Sequence, residues 1–440
     1  MIEQLLHVVG TRADGGADAL WRRVERTSLA FEWGRLKAAG ATEEAGVNLR
    51  VRHRGRVGVA GSTSEDVAGV VDRALASAEL GEELDLAFPA AALLPSVATQ
   101  YPRAANASLD QLIGIGRGLL ERLSRDGCRV NVAIEREVAE TRVGNSAGAT
   151  GGYLSTGIAV SADVWRIAGD DVLIVSDAVD GADVPSDDAL DGLVQSVNGR
   201  LEHALTVVAP PEGALPVVFT PAGLSAIMLP ITQALSGKAV LQGISPLGGK
   251  VGEQVFDERF SITDDALRAG RPASRPIDDE CVPSVTTHLV QRGVVKRFVY
   301  DLETAARAKA ASTGHGQRGI FGKPVPAYTN LVIRETGIEK RETWSGLGGG
   351  LIGDIRDGLL VDELIGVGQG NVIGGAFSHP VALAYRIEKG AITGRVKDAA
   401  VAGNVYELLK RLGGFGNDAR WTGGRYGPSL LLEGVSVAGR

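Results

Sequence analysis

The chain has 440 residues, of which 44% are hydrophobic, and it carries a formal net charge of −7. The apolar content excludes a disordered chain, and the mildly acidic balance disfavours nucleic acid as the main partner. The 60 glycines follow no three-residue period, which excludes collagen, and two isolated cysteines, Cys128 and Cys281, exclude a secreted disulfide scaffold.

The N-terminal segment does not have the pattern of a targeting sequence. Its first 16 residues contain an early acidic residue and only a short apolar patch, so we do not expect a signal peptide. No run in the chain approaches the roughly 18 apolar residues that a membrane-spanning helix needs. We therefore predict a cytoplasmic protein with no membrane partner.

The first half of the chain contains blocks of strands with amphipathic helices between them. Residues 47–60 alternate around a turn at His53–Gly55, which predicts a hairpin with Arg50 and Arg52 on its polar face. Further strands are predicted over residues 130–143, 152–166 and 171–179. Helices are predicted over residues 62–80, 108–127 and 187–205, the second with a Ser108–Gln111 capping box. Strands in blocks with packed helices favour an α+β arrangement over βαβ repeats.

A domain boundary is predicted near residue 211, where VVAPPEGALP interrupts the pattern. We assign residues 1–210 to an N-terminal domain and residues 211–440 to a C-terminal domain. The C-terminal half is rich in glycine and strands, with hairpins predicted around Arg292–Gly293 and Lys389–Gly390. The predicted fold class is α+β: an N-terminal α+β domain with a mixed or antiparallel sheet and packed helices, then a mostly antiparallel β domain.

The segment TPAGLSAIMLPITQALSG, residues 220–237, predicts an apolar and uncharged helix. Thr220 can cap it, and Pro221 fits the first helical position. Pro230 falls within the run, where a proline removes a hydrogen bond and costs about 3 kcal/mol. We therefore expect a helix that is broken at Pro230.

Several polar residues are candidates for a site. His315 and Arg318, in the loop STGHGQRG, have the residue types to contact a ligand, although a plain polar loop is the commoner outcome. The acidic run from Asp278 to Glu280 has the chemistry to bind a cation or act as acid and base, but a solvated turn is favoured. Its carboxylates should raise the pKa of Cys281, so we interpret that residue as a structural thiol.

Two glycine-rich segments are candidates for peptide binding. GIGRGL, residues 114–119, lies inside an amphipathic helix, so it does not predict a nucleotide loop. Segments 345–354 and 366–371 instead expose bare backbone, which suits an extended peptide that adds as a strand, unless the glycines only serve turns. The predicted peptide-binding residues are His315, Arg318, Gly348, Gly349, Gly350, Gly368, Gln369 and Gly370.

The order of segments along nearly the whole chain resembles the TldD/PmbA family, once described as modulators of DNA gyrase and linked to peptide degradation. The matching segments include FEWGRLKAAGATEEAGVNLRVRHRGRVGVA, KVGEQVFDERFSITDD and PSLLLEGVSVAG. In that family the TldD-type subunit is a zinc peptidase with a His-Glu-x-x-x-His helix and a cysteine ligand near the C-terminus. Two imidazoles and a thiolate hold the ion, and the glutamate accepts a proton from its water.

This metal motif is degenerate here, because its positions fall on Met228, Leu229 and Gln233, and no cysteine follows Lys410. The resemblance therefore implies the PmbA (TldE) branch: a metal-free subunit with no catalytic residue and no cofactor. Its expected partner is a TldD-type metal-bearing subunit, or a second copy of itself, around a cavity for unfolded peptide. Two alternatives remain open: a self-sufficient hydrolase using His315 with Asp278 or Cys281, and a peptide-binding homodimer without peptidase activity.

Overall fold

The computed structural model describes residues 1–337 and 346–439. Ser345, the first residue of one predicted glycine-rich segment, lies outside the described residues. The mixture of helices and mostly antiparallel sheets confirms the predicted α+β class. Within the described residues, no helix is long and apolar enough to cross a bilayer.

The first half is built on one six-stranded antiparallel sheet with the order β3-β2-β1-β4-β5-β6. Its strands are β1 (Ala17–Glu32), β2 (Arg35–His53), β3 (Arg56–Ser62), β4 (Cys128–Asn145), β5 (Thr150–Ala168) and β6 (Asp171–Gly181). The predicted hairpin and the three later strands are confirmed. Strand β1 and the first twelve residues of β2 were not predicted, because their charged and small residues show no clear apolar alternation.

Five helices accompany this sheet: α1 (Ile2–Gly10), α2 (Val67–Glu79), α3 (Pro102–Ala105), α4 (Leu109–Leu123) and α5 (Asp187–Ala204). Asp66 caps α2 through the Gly69 amide, and the Ser108–Gln111 capping box of α4 is confirmed. Helix α4 ends four residues earlier than predicted, because Ser124 is already extended. Helices α1 and α2 cover one end of the sheet, and α4 and α5 cover the other.

The second half contains two larger sheets and one small hairpin. The eight-stranded sheet has the order β15-β8-β22-β18-β16-β17-β7, with β19 paired to β22, and the six-stranded sheet has the order β11-β10-β9-β14-β21-β20. The strands are β7 (Val207–Val208), β8 (Gly213–Phe219), β9 (Phe260–Asp265), β10 (Thr286–Gln291), β11 (Val294–Val295), β12 (Gly316–Gln317), β13 (Val325–Pro326), β14 (Leu331–Glu335), β15 (Asp357–Leu364), β16 (Ala376–Glu388), β17 (Ala391–Val396), β18 (Ala399–Asn404), β19 (Leu412–Phe415), β20 (Arg420–Thr422), β21 (Arg425–Gly427) and β22 (Leu430–Gly439). The helices are α6 (Leu224–Ala234), α7 (Gly237–Leu241), α8 (Leu302–Ala308) and α9 (Val405–Leu408).

The eight-stranded sheet separates two apolar cores. Val217 and Leu359 point to the side that holds α6, whereas Val218 and Leu360 point to the side that holds α4 and α5. The second core therefore joins helices of the first half to a sheet of the second half. Strand β7 belongs to this sheet although it precedes residue 211. The division into domains 1–210 and 211–440 stays a prediction.

Helix α6 differs from the sequence-based expectation. It is a continuous α-helix through Pro230, so the predicted break is wrong. Thr220 closes the turn before it: its hydroxyl accepts the Gly223 amide and its carbonyl accepts the Leu224 amide at 2.9 Å. Most of α6 is buried in the first core, and the Tyr406 hydroxyl donates to the Pro230 carbonyl. This tertiary packing offsets the cost of the proline.

Candidate functional site

The three degenerate motif positions on α6 have different environments. Met228 is 1% exposed and packs in the apolar core. Leu229 is half-buried, and a Cβ atom built on Gly368 would lie 3.6 Å from Leu229 Cδ2. Gln233 is exposed. The helix therefore places the second motif position next to one of the predicted glycine-rich segments.

These residues do not fit a zinc site. The Met228 thioether points into the core, Leu229 offers only hydrocarbon, and the neutral Gln233 amide is a weak ligand. Among the described residues, no group of three or more histidine, cysteine, aspartate or glutamate side chains is arranged to hold a metal ion. No catalytic step through a metal can be built on this helix.

The segment 366–371 forms an exposed loop over α6. Gly366, Gly368 and Gly370 have positive φ angles of 77°, 99° and 80°, a conformation that favours glycine. Gly368, Gln369 and Gly370 are exposed, and the loop turns through a bond from the Gln369 amide to the Gly366 carbonyl. Of the two predicted glycine-rich segments, this one adjoins the degenerate motif.

The other segment, around Gly348–Gly350, lies on the opposite face of the eight-stranded sheet. A Cβ atom on Gly348 would lie 2.8 Å from Leu360 Cδ1, on the side away from α6. Gly348 and Gly349 are buried, and only Gly350 is exposed, where it lines a cleft of about 920 Å³. The structure therefore does not bring the two predicted glycine segments into one groove.

His315 and Arg318 are buried, at 2% and 3% exposure, which the sequence pattern of this polar loop did not indicate. His315 Nε2 lies 2.9 Å from Asp264 Oδ2, and Nδ1 lies 2.8 Å from Thr313 Oγ1. The Arg318 guanidinium donates to Asp18 at 2.9 Å. Neither side chain is accessible to a peptide in this structure, and their role in peptide binding stays a prediction.

The acidic run is also buried, so the predicted solvated turn is wrong. Asp278, Asp279 and Glu280 are each 0% exposed. The physical reason is compensation by arginines and backbone amides from both halves of the chain. We call these side chains the buried charge cluster: Asp18, Arg22, Arg50, Arg275, Asp278, Asp279, Glu280 and Arg318.

Arg50 is the central cation of the buried charge cluster. Its guanidinium contacts Asp18 of β1 and lies 2.6 Å from Glu280 Oε1. Arg22 of the same sheet face lies 2.9 Å from Asp279. The cluster therefore fixes the first-half sheet against the segment that follows β9. The alternation of residues predicted Arg50 on the polar face of a hairpin but not its burial. The signal that could have indicated it is the acidic run at Asp278–Glu280, which needs cations if it is buried.

Burial controls the ionisation of this cluster. It raises the pKa of Glu280 to about 8, against the opposing effect of Arg50 and with the help of Asp278 and Asp301. Burial also opposes ionisation of Asp18, but Arg318 and Arg50 hold its pKa below the usual value. Burial raises the pKa of the Cys281 thiol strongly, and Asp18 adds to the effect. A thiol that resists ionisation is a poor nucleophile, which agrees with a structural role.

Comparisons with known proteins give a consistent result. The model of the PmbA/TldA metallopeptidase C-terminal domain matches residues 212–439, and that of domain 1 matches residues 17–78. A Haemophilus influenzae protein named metalloprotease TldD homolog is 31% identical over 211 residues, covering 47% of this chain and 42% of the relative. A metalloprotease of Methanothermobacter thermautotrophicus is 29% identical over 242 residues, covering 54% and 51%. The chain spans about half the length of the curated relatives that it matches.

The fold has a close counterpart among solved structures. TldE from Thermococcus kodakarensis superposes with a TM-score of 0.86 and covers 99% of each chain, at 24% sequence identity. At this level of sequence identity, the structural similarity establishes that the two chains share a fold.

Proposed function

Because the chain belongs to the PmbA/TldD metallopeptidase family, we propose that it is the metal-free, non-catalytic subunit of a TldD/PmbA-type peptidase. Helix α6 is the observation that carries this proposal. At the positions of the family's metal motif it offers a core-packed thioether, a hydrocarbon and an exposed amide. None of these can activate water or accept its proton.

The proposed role of the subunit is to present backbone to unfolded peptide. The exposed loop at Gly368–Gly370 adjoins α6 through Leu229, and this proximity to the motif positions supports a role in binding substrate. An extended peptide that pairs with exposed amides and carbonyls is held with little dependence on its sequence. The metal-bearing partner would supply the ion, the water and the base.

The test compares the purified chain alone with the chain mixed with a TldD-type metal-bearing homologue. We expect substoichiometric zinc in the chain alone, no hydrolysis of an unfolded peptide, and a complex of defined mass in the mixture. One tightly held zinc per chain, or hydrolysis by the chain alone, would overturn the proposal.

A pair of glycine variants tests the loop. In Gly368→Ala the added Cβ is strained at φ 99° and lies 3.6 Å from Leu229 Cδ2 of α6, so peptide turnover by the mixed complex should fall while association is retained. Gly55→Ala is the matched control, because it has the same kind of positive φ, 73°, in the β2–β3 turn. Equal loss of turnover in both variants would show that the loop has no special role.

A further inference from the structure

The six-stranded sheet of the second half has a polar face around β9. Ile262 of β9 is fully buried in the first apolar core. Successive strand residues point to opposite faces, so Ser261 and Thr263 point away from that core. Arg334 of β14 lies directly opposite Ser261. His288 of β10 lies directly opposite Thr263. This face therefore carries an arginine and a histidine beside two hydroxyl groups.

The polar face forms a pocket with a volume of about 260 Å³. We call it the β9 pocket and define it by the polar side chains that line it: Ser261, Thr263, His288, Arg292, Arg334 and Thr336. Arg292 belongs to the turn between β10 and β11, and its amide donates to Ser261 Oγ at 3.0 Å. This bond holds the turn against β9. Nitrogen donors therefore line the pocket from three separate segments: β10, the β10–β11 turn and β14.

The two arginines of the β9 pocket lack a carboxylate partner. Within residues 1–337 and 346–439, neither Arg292 nor Arg334 forms an ion pair, and no aspartate or glutamate side chain lines the pocket. Arg259, in the turn before β9, is by contrast held by both oxygens of Asp257, at 2.9 and 3.0 Å. Asp265, the last residue of β9, lies outside the pocket and already accepts a threonine hydroxyl at 2.9 Å. The pocket therefore has an uncompensated positive charge.

The hydroxyl groups of the pocket are already hydrogen-bonded and orient the histidine. Ser261 Oγ and Thr336 Oγ1 lie 3.0 Å apart, and Thr263 Oγ1 lies 3.1 Å from His288 Nδ1. When Thr263 donates to Nδ1, the neutral ring carries its proton on Nε2, and the charged ring carries a proton there as well. The groups left for a ligand are therefore the Nε2 donor and two guanidinium groups, which suits an anion.

We propose that the β9 pocket binds a phosphate group, from inorganic phosphate or from a phosphate monoester. Two permanent cations match the charge of nearly −2 that a phosphate monoester carries at neutral pH, whereas one carboxylate would leave a guanidinium uncompensated. The planar fork of an arginine also matches the spacing of phosphate oxygens. This inference does not rest on the proposed peptidase role, because the pocket shares no residue with α6 or with the loop at residues 366–371.

The first test is calorimetric titration of the chain alone with inorganic phosphate, methyl phosphate and acetate in chloride buffer. We expect one phosphate site per chain with a dissociation constant of about 1 mM or tighter, and the tighter of the two phosphate ligands identifies the source. Arg334→Gln should weaken binding about tenfold or more, because it removes charge-assisted hydrogen bonds. Arg117→Gln, exposed on α4, removes the same charge outside the pocket and should bind as the wild type does. The absence of phosphate binding, equal weakening in both variants, or equally tight binding of acetate would overturn the proposal.

The second test locates the bound phosphate in the wild type by magnetic resonance of the histidine rings. The chain has six histidines, and the His288 signal is the one that disappears in His288→Gln. Phosphate should shift this signal and leave that of His7, exposed on α1, unchanged. Arg292→Gln, in an exposed turn, should raise the phosphate concentration needed for the shift about tenfold. Shifts of His7 and His288 over the same concentration range would contradict a site at the β9 pocket, whatever the outcome of the zinc and peptidase assays.

Discussion

Glu280→Gln tests the ionisation of the buried charge cluster. In the folded chain burial raises the Glu280 pKa from 4.5 to about 8. The unfolded chain releases this proton near pH 4.5, while the folded chain retains it up to about pH 8. This group therefore contributes stability that is fully present below pH 4.5 and is lost as the pH rises to about 8.

The magnitude follows from the pKa difference. At about 1.4 kcal/mol for each pKa unit, raising the Glu280 pKa by this amount makes its ionisation in the folded chain about 5 kcal/mol more costly. This value is a ceiling, because Asp278 and Asp301 interact with Glu280 and neighbouring carboxyl groups release protons in joint steps. We expect the free energy of unfolding of the wild type to fall by at least about 2 kcal/mol relative to Glu280→Gln between pH 5 and 8.

The assay is urea denaturation of both proteins at several values between pH 5 and 9. The substitution also changes the group that accepts the Arg50 hydrogen bond at 2.6 Å, so the absolute stability of the variant is not the readout. The readout is how the difference in free energy of unfolding between the wild type and Glu280→Gln changes with pH. Glu121→Gln, exposed on α4, is the control and should give a difference independent of pH. A pH-independent difference for Glu280→Gln would refute the argument that this carboxyl group is protonated near neutral pH.

Two further substitutions test packing and buried charge elsewhere. Gly116→Ala should lower the free energy of unfolding by about 1–3 kcal/mol, because the added Cβ would lie 2.2 Å from the Phe31 ring. Gly114→Ala on the same helix is the control: its Cβ would meet no atom within 4 Å, so this variant should be as stable as the wild type. Arg200→Met leaves buried Asp362 without its cation and removes one of the two arginines that contact Asp177, for a loss of about 3–5 kcal/mol. Arg122→Met, at an exposed pair, should cost less than about 1 kcal/mol. Chemical denaturation measures both comparisons, and equal losses within either pair would contradict the reasoning.

The sequence predicted correctly those helix ends and turns that are determined by residues close together in the chain. The Ser108–Gln111 capping box of α4 and the glycine turns of three hairpins are determined within a few positions, and these elements are confirmed. The buried charge cluster could not be predicted in this way. Arg50 and Glu280 are separated by 230 positions, so the pattern around each residue shows only an isolated charge. The same limit explains why α6 appeared broken, since the packing that accommodates Pro230 comes from distant residues.

The register of α6 adds a geometric reason for the proposed non-catalytic role. Residues five positions apart in a regular α-helix are separated by about 140° around its axis. Met228 and Gln233 show this separation directly, since one lies in the core and the other in solvent. Helix α6 is continuous from Leu224 to Ala234, and the Tyr406 hydroxyl donates to the carbonyl of Pro230 between the two positions. Both the residue types and the direction of their side chains therefore oppose a metal site on this helix.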